Sequence, residues 1–258
     1  MEIKNISYAY DHTNPILHAV NIQIVRGQIT TIIGPNGSGK STLLSIMSKN
    51  AAPDSGQVIL DGKSIVAYKA KELARKLAVV HQHNAAPSDL TVEKLVGYGR
   101  IPHRAMFAAE SDDDQQAIDW ALACTNLEGK RGKTLDALSG GERQRVWIAM
   151  ALAQKTPFLF LDEPTTYLDI YYQYEILELI RRINREHGMT VVMVLHDINQ
   201  AIRYSDRIVA MKDGQVVVQG SPEQVITRES ILAIYGVETI VRTDPEAGMH
   251  IVPVGLGS

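Results

Sequence analysis

Apolar positions alternate clearly at Val20, Ile22 and Ile24, and weakly over the first residues. A period of two predicts antiparallel strands with one buried face. After Gly27, residues 28–33 form a short β-branched run, the pattern of a core strand. It stops at Gly34, and a helix-forming stretch begins near Gly39. Strand patterns return at 57–60, ahead of the Asp61-Gly62 turn, and at 77–80. From about 84 to 153 helical periods dominate, so this block reads as a helical subdomain inserted into a sheet domain. Strands resume at 158–161, 190–195 and 207–211, with a long helix over 170–187. Asp213-Gly214 predicts a hairpin turn. The alternation of strands and helices predicts an α/β core with a parallel sheet. The tail from Gly236 is too short for a further domain.

Composition narrows the class. The 258 residues are 45% hydrophobic and 21% charged, which is globular and excludes a disordered or fibrous chain. With 26 Lys+Arg against 29 Asp+Glu the net charge is −3, which argues against a protein that coats nucleic acid or an anionic membrane. One cysteine, Cys124, forms no internal disulfide and fits a reducing compartment. The start, MEIKNISYAY, has no apolar leader core, and no apolar run approaches the ~20 residues of a bilayer span. The expectation is a soluble, cytoplasmic chain.

Three motifs carry chemistry. Residues 34–42 read GPNGSGKST, in which Gly34, Gly39, Lys40 and Ser41 fill the G-x-x-x-x-G-K-[ST] pattern between a strand and a helix. Glycines let successive N–H groups turn inward around an anion, and the helix N-terminus adds its positive end. Lys40 brings a point charge to β- and γ-phosphates, and the Ser41 hydroxyl is a Mg²⁺ ligand. Second, FLFLDE at 158–163 is an apolar strand ending in two acids. It places Asp162 at a strand's carboxyl end, where Mg²⁺ is held, and Glu163 where it can polarise a water. Third, in LSGGE at 138–142, Ser139 and Glu142 fit a capping box. Gly140 and Gly141 at that helix start are costly unless the backbone approaches something closely. A second anion-binding helix start in a chain with one phosphate loop suggests two copies sharing nucleotides head to tail.

In this order the motifs resemble those of ABC transporter ATPases along nearly the whole chain. GPNGSGKST resembles Walker A, Gln82 in VVHQH the Q-loop, LSGGERQ the signature and FLFLDEP Walker B. Leu168-Asp169 resembles the D-loop, His196 in VLHD the switch histidine, and Tyr10 the aromatic that stacks on adenine. GRIPH at 99–103, DEPTTYLDI at 162–170, LHDINQA at 195–201 and RYSD at 203–206 resemble a narrower branch, the ATPases of bacterial ferric-siderophore importers. One departure is His81, standing before Gln82 where a proline is more usual.

The resemblance implies a P-loop ABC cassette in which a mixed sheet is flanked by helices. A RecA-like core with an antiparallel β subdomain would span about 1–83 and 154–258, and a helical subdomain 84–153. It implies two chains closing on two ATP molecules. Each ATP would be bound by Tyr10, by Gly34, Pro35, Asn36, Gly37, Ser38, Gly39, Lys40, Ser41 and Thr42, and by Ser139, Gly140, Gly141 and Glu142 of the other chain. Mg²⁺ would be held by Ser41, Gln82 and Asp162. Glu163 would be the general base, His196 the γ-phosphate contact, and Asp169 the link between sites. The implied partners are a membrane permease and, through it, a substrate-binding protein, with the chain peripheral on the cytoplasmic face. The implied cargo is ferric siderophore, with haem or cobalamin as alternatives.

Other features read as structural. His81 and His83 lack a third ligand for zinc. Glu110 with Asp112–Asp114 suits a helix start capped by Ser111. Arg181, Arg182 and Arg185 read as a solvated helix face. Tyr8 competes with Tyr10 for the adenine, and Tyr167, Tyr171, Tyr172 and Tyr174 gather at the expected dimer face, where ordinary packing explains them equally well. A soluble, nucleic-acid-associated ABC protein is opposed by the absence of a second cassette and of basic excess.

Overall fold

The computed structural model describes residues 1–10, 15–105 and 111–257, so Glu110 lies outside the described residues. The chain divides into two compact units, one of residues 1–67 with 192–258 and one of residues 68–191. The first unit opens with β1 (Glu2–Ala9) and β2 (Pro15–Gln23), antiparallel, with Ile3 opposite Ile22 and Ile6 opposite Val20. All four side chains are buried, which is why the alternating positions are apolar. β3 (Ile29–Ile33) is buried at every position and runs into the loop before α1 (Lys40–Met47). β4 (Ser55–Leu60) and β5 (Lys63–Ser64) complete a four-stranded antiparallel sheet ordered β2-β1-β4-β5.

The second unit holds α2 (Ala70–Ala74), β6 (Leu77–Val80), α3 (Val92–Gly97), α4 (Asp112–Cys124), α5 (Gly140–Ala153), β7 (Phe158–Asp162) and α6 (Ile170–His187). α3 and α4 pack on α5 through buried Val92, Leu95, Ile118, Leu122, Val146 and Ile148. Burying one such side chain is worth about 1.5–3 kcal/mol, which exceeds what helix propensity supplies to these short segments. α4 starts at a capping box in which Ser111 Oγ and Asp114 Oδ2 each accept a backbone N–H at 3.2 Å. α6 buries Ile176, Leu177, Leu179, Ile180 and Ile183 at helical spacing and stops at Gly188, in the left-handed region.

The boundary between the units crosses β8 (Thr190–Val194), a strand buried throughout. The first unit resumes with α7 (Ile198–Tyr204), β9 (Arg207–Lys212), β10 (Gln215–Gly220), α8 (Pro222–Val225), α9 (Arg228–Tyr235), β11 (Val237–Asp244) and β12 (Gly248–Leu256). β9 lies parallel to β3 and antiparallel to β10. The β9–β10 turn has Asp213 at φ 46° and Gly214 at φ 75°, the left-handed pair that an Asp-Gly hairpin uses. The tail after Gly236 forms the β11–β12 hairpin.

Candidate nucleotide site

In the first unit the loop between β3 and α1 curls around its own backbone. Gly34 is a necessity of packing, because a Cβ there would stand 2.2 Å from the carbonyl oxygen of Met211 in β9. Gly39, left-handed at φ 93°, caps α1 with no side-chain bond of its own. Lys40 is buried, and its Nζ donates to the Gly34 and Pro35 carbonyls at 2.9 and 2.8 Å, which holds the ammonium over the loop. Among the described residues the buried Ser38 hydroxyl has no hydrogen-bond partner. A buried hydroxyl left unpaired costs about 1–3 kcal/mol, and an oxygen of a phosphate received by this loop would be a fitting partner.

Ser41 stands exposed at the start of α1, and Asn36 and Gly37 form the exposed turn of the loop. Tyr10 is 71% exposed, and its hydroxyl lies 3.4 Å from Thr42 Oγ1. Tyr8 is half-buried and meets the Tyr10 ring edge-on at 5.2 Å, so Tyr10 is the aromatic with a free face. His196 follows β8 and is exposed, and the next residue, Asp197, caps α7 by accepting from Gln200 N at 2.9 Å.

In the second unit β6 and β7 run parallel, with Leu77 opposite Phe158 and Val80 opposite Leu161. Their carboxyl ends emerge side by side, and this register brings Gln82 to Glu163 although the two are 81 residues apart. Gln82 Nε2 donates to Glu163 Oε2 at 2.5 Å, and Thr166 Oγ1 donates to the same oxygen at 3.1 Å. Thr166 lies within DEPTTYLDI, but the sequence reading gave it no role. Glu163 is at φ 51°, a conformation costing a non-glycine residue about 1–2 kcal/mol. Such strain gathers where a side chain must be aimed. Asp162 ends β7, half-buried.

Ser139 caps α5 as the spacing predicts. Its Oγ accepts from Glu142 N at 3.3 Å, and Glu142 Oε2 accepts from Ser139 N at 2.9 Å. Lys130 pairs with the other Glu142 oxygen, and this bond, ahead of the Ser139 N–H, holds the carboxyl below its usual range. The two glycines differ. A Cβ on Gly140 would meet nothing closer than Leu168 Cδ2 at 3.8 Å, leaving that face open to a ligand. A Cβ on Gly141 would stand 2.7 Å from the Tyr172 ring, so its close approach is to α6. Asp169, exposed, is the residue before α6, and Gln173 Nε2 donates back to Leu168 O at 2.9 Å.

GRIPH closes the other end of α5. Arg100 donates to Ala153 O at 2.7 Å and to Asp114 Oδ1 at 2.9 Å, and His103 Nε2 donates to Gln154 O at 2.8 Å. Burial works against the charged Asp114. The Arg100 bond, the Ser111 bonds and the Arg104 charge nonetheless bring its pKa down to about 2.

The sequence profile of the ABC transporter family matches residues 17–166, more than half of the chain. The chain belongs to the ABC transporter family. It is therefore an ATP-binding protein and an ATPase. It is 46% identical over 238 residues to the petrobactin import ATP-binding protein FpuC of Bacillus anthracis, covering 92% of this chain and 87% of the relative. It is 45% identical over 237 residues to the ferric enterobactin transport ATP-binding protein FepC of Escherichia coli K12, covering 92% and 88%. Among solved structures it superposes with TM-score 0.74 and 33% identity on the ATP-binding cassette MJ0796. That cassette was solved as a dimer in a post-hydrolysis state bound to ADP and phosphate, and the match covers 86% of this chain and 98% of that one. The fold is accordingly the mixed α/β P-loop cassette.

Proposed function

We propose that this chain is the ATP-hydrolysing subunit of a bacterial importer for ferric siderophores, working peripherally on the cytoplasmic face of the membrane through a separate permease. The cargo is carried by one observation, the identity of 46% and 45% across 92% of the chain with proteins named for petrobactin import and ferric enterobactin transport. Among the described residues no helix is long and apolar enough to cross a membrane.

In this reading the loop N–H groups from Gly34 to Thr42 cradle the phosphates, the Ser38 hydroxyl gains its partner, and Tyr10 stacks on adenine. Lys40 neutralises charge at the β- and γ-phosphates. Ser41, Gln82 and Asp162 hold Mg²⁺, which supplies further neutralisation of the phosphate oxygens. Glu163 takes the proton of the attacking water, and the bonds from Gln82 and Thr166 aim its carboxylate. His196 hydrogen-bonds the γ-phosphate as charge develops there. Ser139, Gly140 and Glu142 serve the nucleotide of a second copy, with Gly141 positioning that helix start, and Asp169 links the two sites. Exposed Tyr167, Ile170 and Tyr171 flank Asp169 and suit burial against that copy.

Gln82, Ala86, Asp136, Arg143 and Trp147 line a groove of about 330 Å³ beside α5. A permease segment seated there would sense Gln82 directly, and a substrate-binding protein would act only through the permease. The RecA-like core of about 1–83 and 154–258 and the helical subdomain of 84–153 are the parts this mechanism moves.

Two measurements test the reading. Glu163→Gln should bind ATP, hydrolyse it at least about a hundredfold more slowly and accumulate as a dimer. Full activity in that variant removes Glu163 as the base. Uptake of labelled ferric siderophore by cells carrying the chain and its permease tests the cargo. Uptake of haem or cobalamin alone reassigns the cargo and leaves the ATPase standing.

A further inference from the structure

Asn199 lies in the first turn of α7, three residues after His196, and its side chain is not engaged within its own helix. Its carboxamide instead pairs with the backbone of Ile251 in β12. Oδ1 accepts the Ile251 N–H at 2.8 Å, and Nδ2 donates to the Ile251 carbonyl at 3.3 Å. A side chain that offers both an acceptor and a donor here replaces the pair of bonds a neighbouring strand would make. Ile251 itself is buried, so the contact joins an apolar anchor to a two-bond clamp.

The hairpin has reason to need this. A lone two-stranded hairpin is marginal in water, and among the described residues β11 and β12 pair only with each other. Packing against α7 and α9 holds it in place. The same C-terminal stretch also reaches the phosphate loop. Tyr235, the last residue of α9, buries its hydroxyl beside the backbone of Gly34, and burial pushes its pKa up to about 12. The segment after Gly220 is therefore braced against both α7 and the loop between β3 and α1.

We propose that Asn199 is a positioning residue for ATP hydrolysis: by tying the first turn of α7 to Ile251, it makes the C-terminal hairpin part of the device that aims His196. Turning α7 away breaks two hydrogen bonds and uncovers Ile251, so the docked hairpin holds the first turn of α7 and the backbone that leads into it from His196. This rests on the reading of His196 as the γ-phosphate contact.

The test is steady-state ATPase kinetics on the full chain. Asn199→Ala should lower kcat about tenfold while KM for ATP stays within about twofold, because an aiming defect acts on the transition state. In the His196→Ala background the same change should cost nothing more, whereas a general loss of structure would add to it. An unchanged thermal midpoint in Asn199→Ala guards against a misfolded variant, since an aiming defect lowers kcat without unfolding the chain. A normal kcat in Asn199→Ala, or a loss that adds fully to His196→Ala, overturns the proposal while the ATPase reading stands. Normal hydrolysis by His196→Ala overturns the role of His196 and this proposal together.

Discussion

Glu163 is aimed by three local facts at once: a left-handed backbone and one hydrogen bond each from Gln82 and Thr166. Removing Thr166 alone tests how much of the aim is geometric. Thr166→Val should reduce kcat several-fold, roughly 1 kcal/mol of transition-state stabilisation, with ATP affinity preserved in an equilibrium binding assay. Gly141 is a second single-residue test. Gly141→Ala forces its methyl into the Tyr172 ring and should destabilise the chain by about 1–3 kcal/mol in urea unfolding. Pairing it with Tyr172→Ala should recover part of that loss, since residues in contact are not additive. Legibility at this scale follows sequence distance. The Ser139–Glu142 box spans three residues and is written in the local spacing. The Gln82–Glu163 bond depends on the parallel register of β6 and β7, and no short-range pattern encodes it. The tyrosine behind Gly141 is equally remote, so a close approach was legible there but its partner was not.

α5 is fixed at both ends, by Ser139 and Glu142 at its start and by Arg100 and His103 at its last carbonyls. Asp114 connects this clamp to α4. Its carboxyl is held at about 2 against an ordinary value of 3.8, so the folded state favours the charged form. A depressed acid stabilises fully above its unfolded value and loses that contribution as pH falls. The stability that Asp114 lends should thus be complete above about pH 4 and fade towards pH 2, amounting to about 2 kcal/mol. Asp114→Asn should lower the unfolding free energy at pH 7 by at least that much and flatten the acid limb between pH 4 and 2. Denaturant melts across that range decide it. Among elements, the long amphipathic α6 and the β9–β10 hairpin were plain from period and turn chemistry. The β11–β12 hairpin was not, because Pro253 inside the last run argues against a strand. The structure accommodates it where the register shifts between Glu238 and Thr239, with Pro253 opposite Thr239, so the missing N–H falls at an irregularity of the ladder.

At the scale of the molecule, composition and charge described a chain without an apolar run of bilayer length and without basic excess, while its motifs pointed to a membrane machine. In the proposed function the groove beside α5 would reconcile the two, as the place where a permease segment presses next to Gln82. Ala86→Arg should fill that groove, reduce co-purification of the permease and abolish the permease-dependent rise in ATPase rate, with an unchanged thermal midpoint as the folding control. The two tryptophans of the chain make this observable without labels. Trp120 has the Lys155 ammonium 3.1 Å from its ring centroid and the His187 ring edge-on at 5.0 Å, both quenchers of indole emission. Trp147 lines the groove, half-buried. Intrinsic fluorescence from this protein should therefore come mainly from Trp147, and filling of the groove beside α5 should shift its emission maximum.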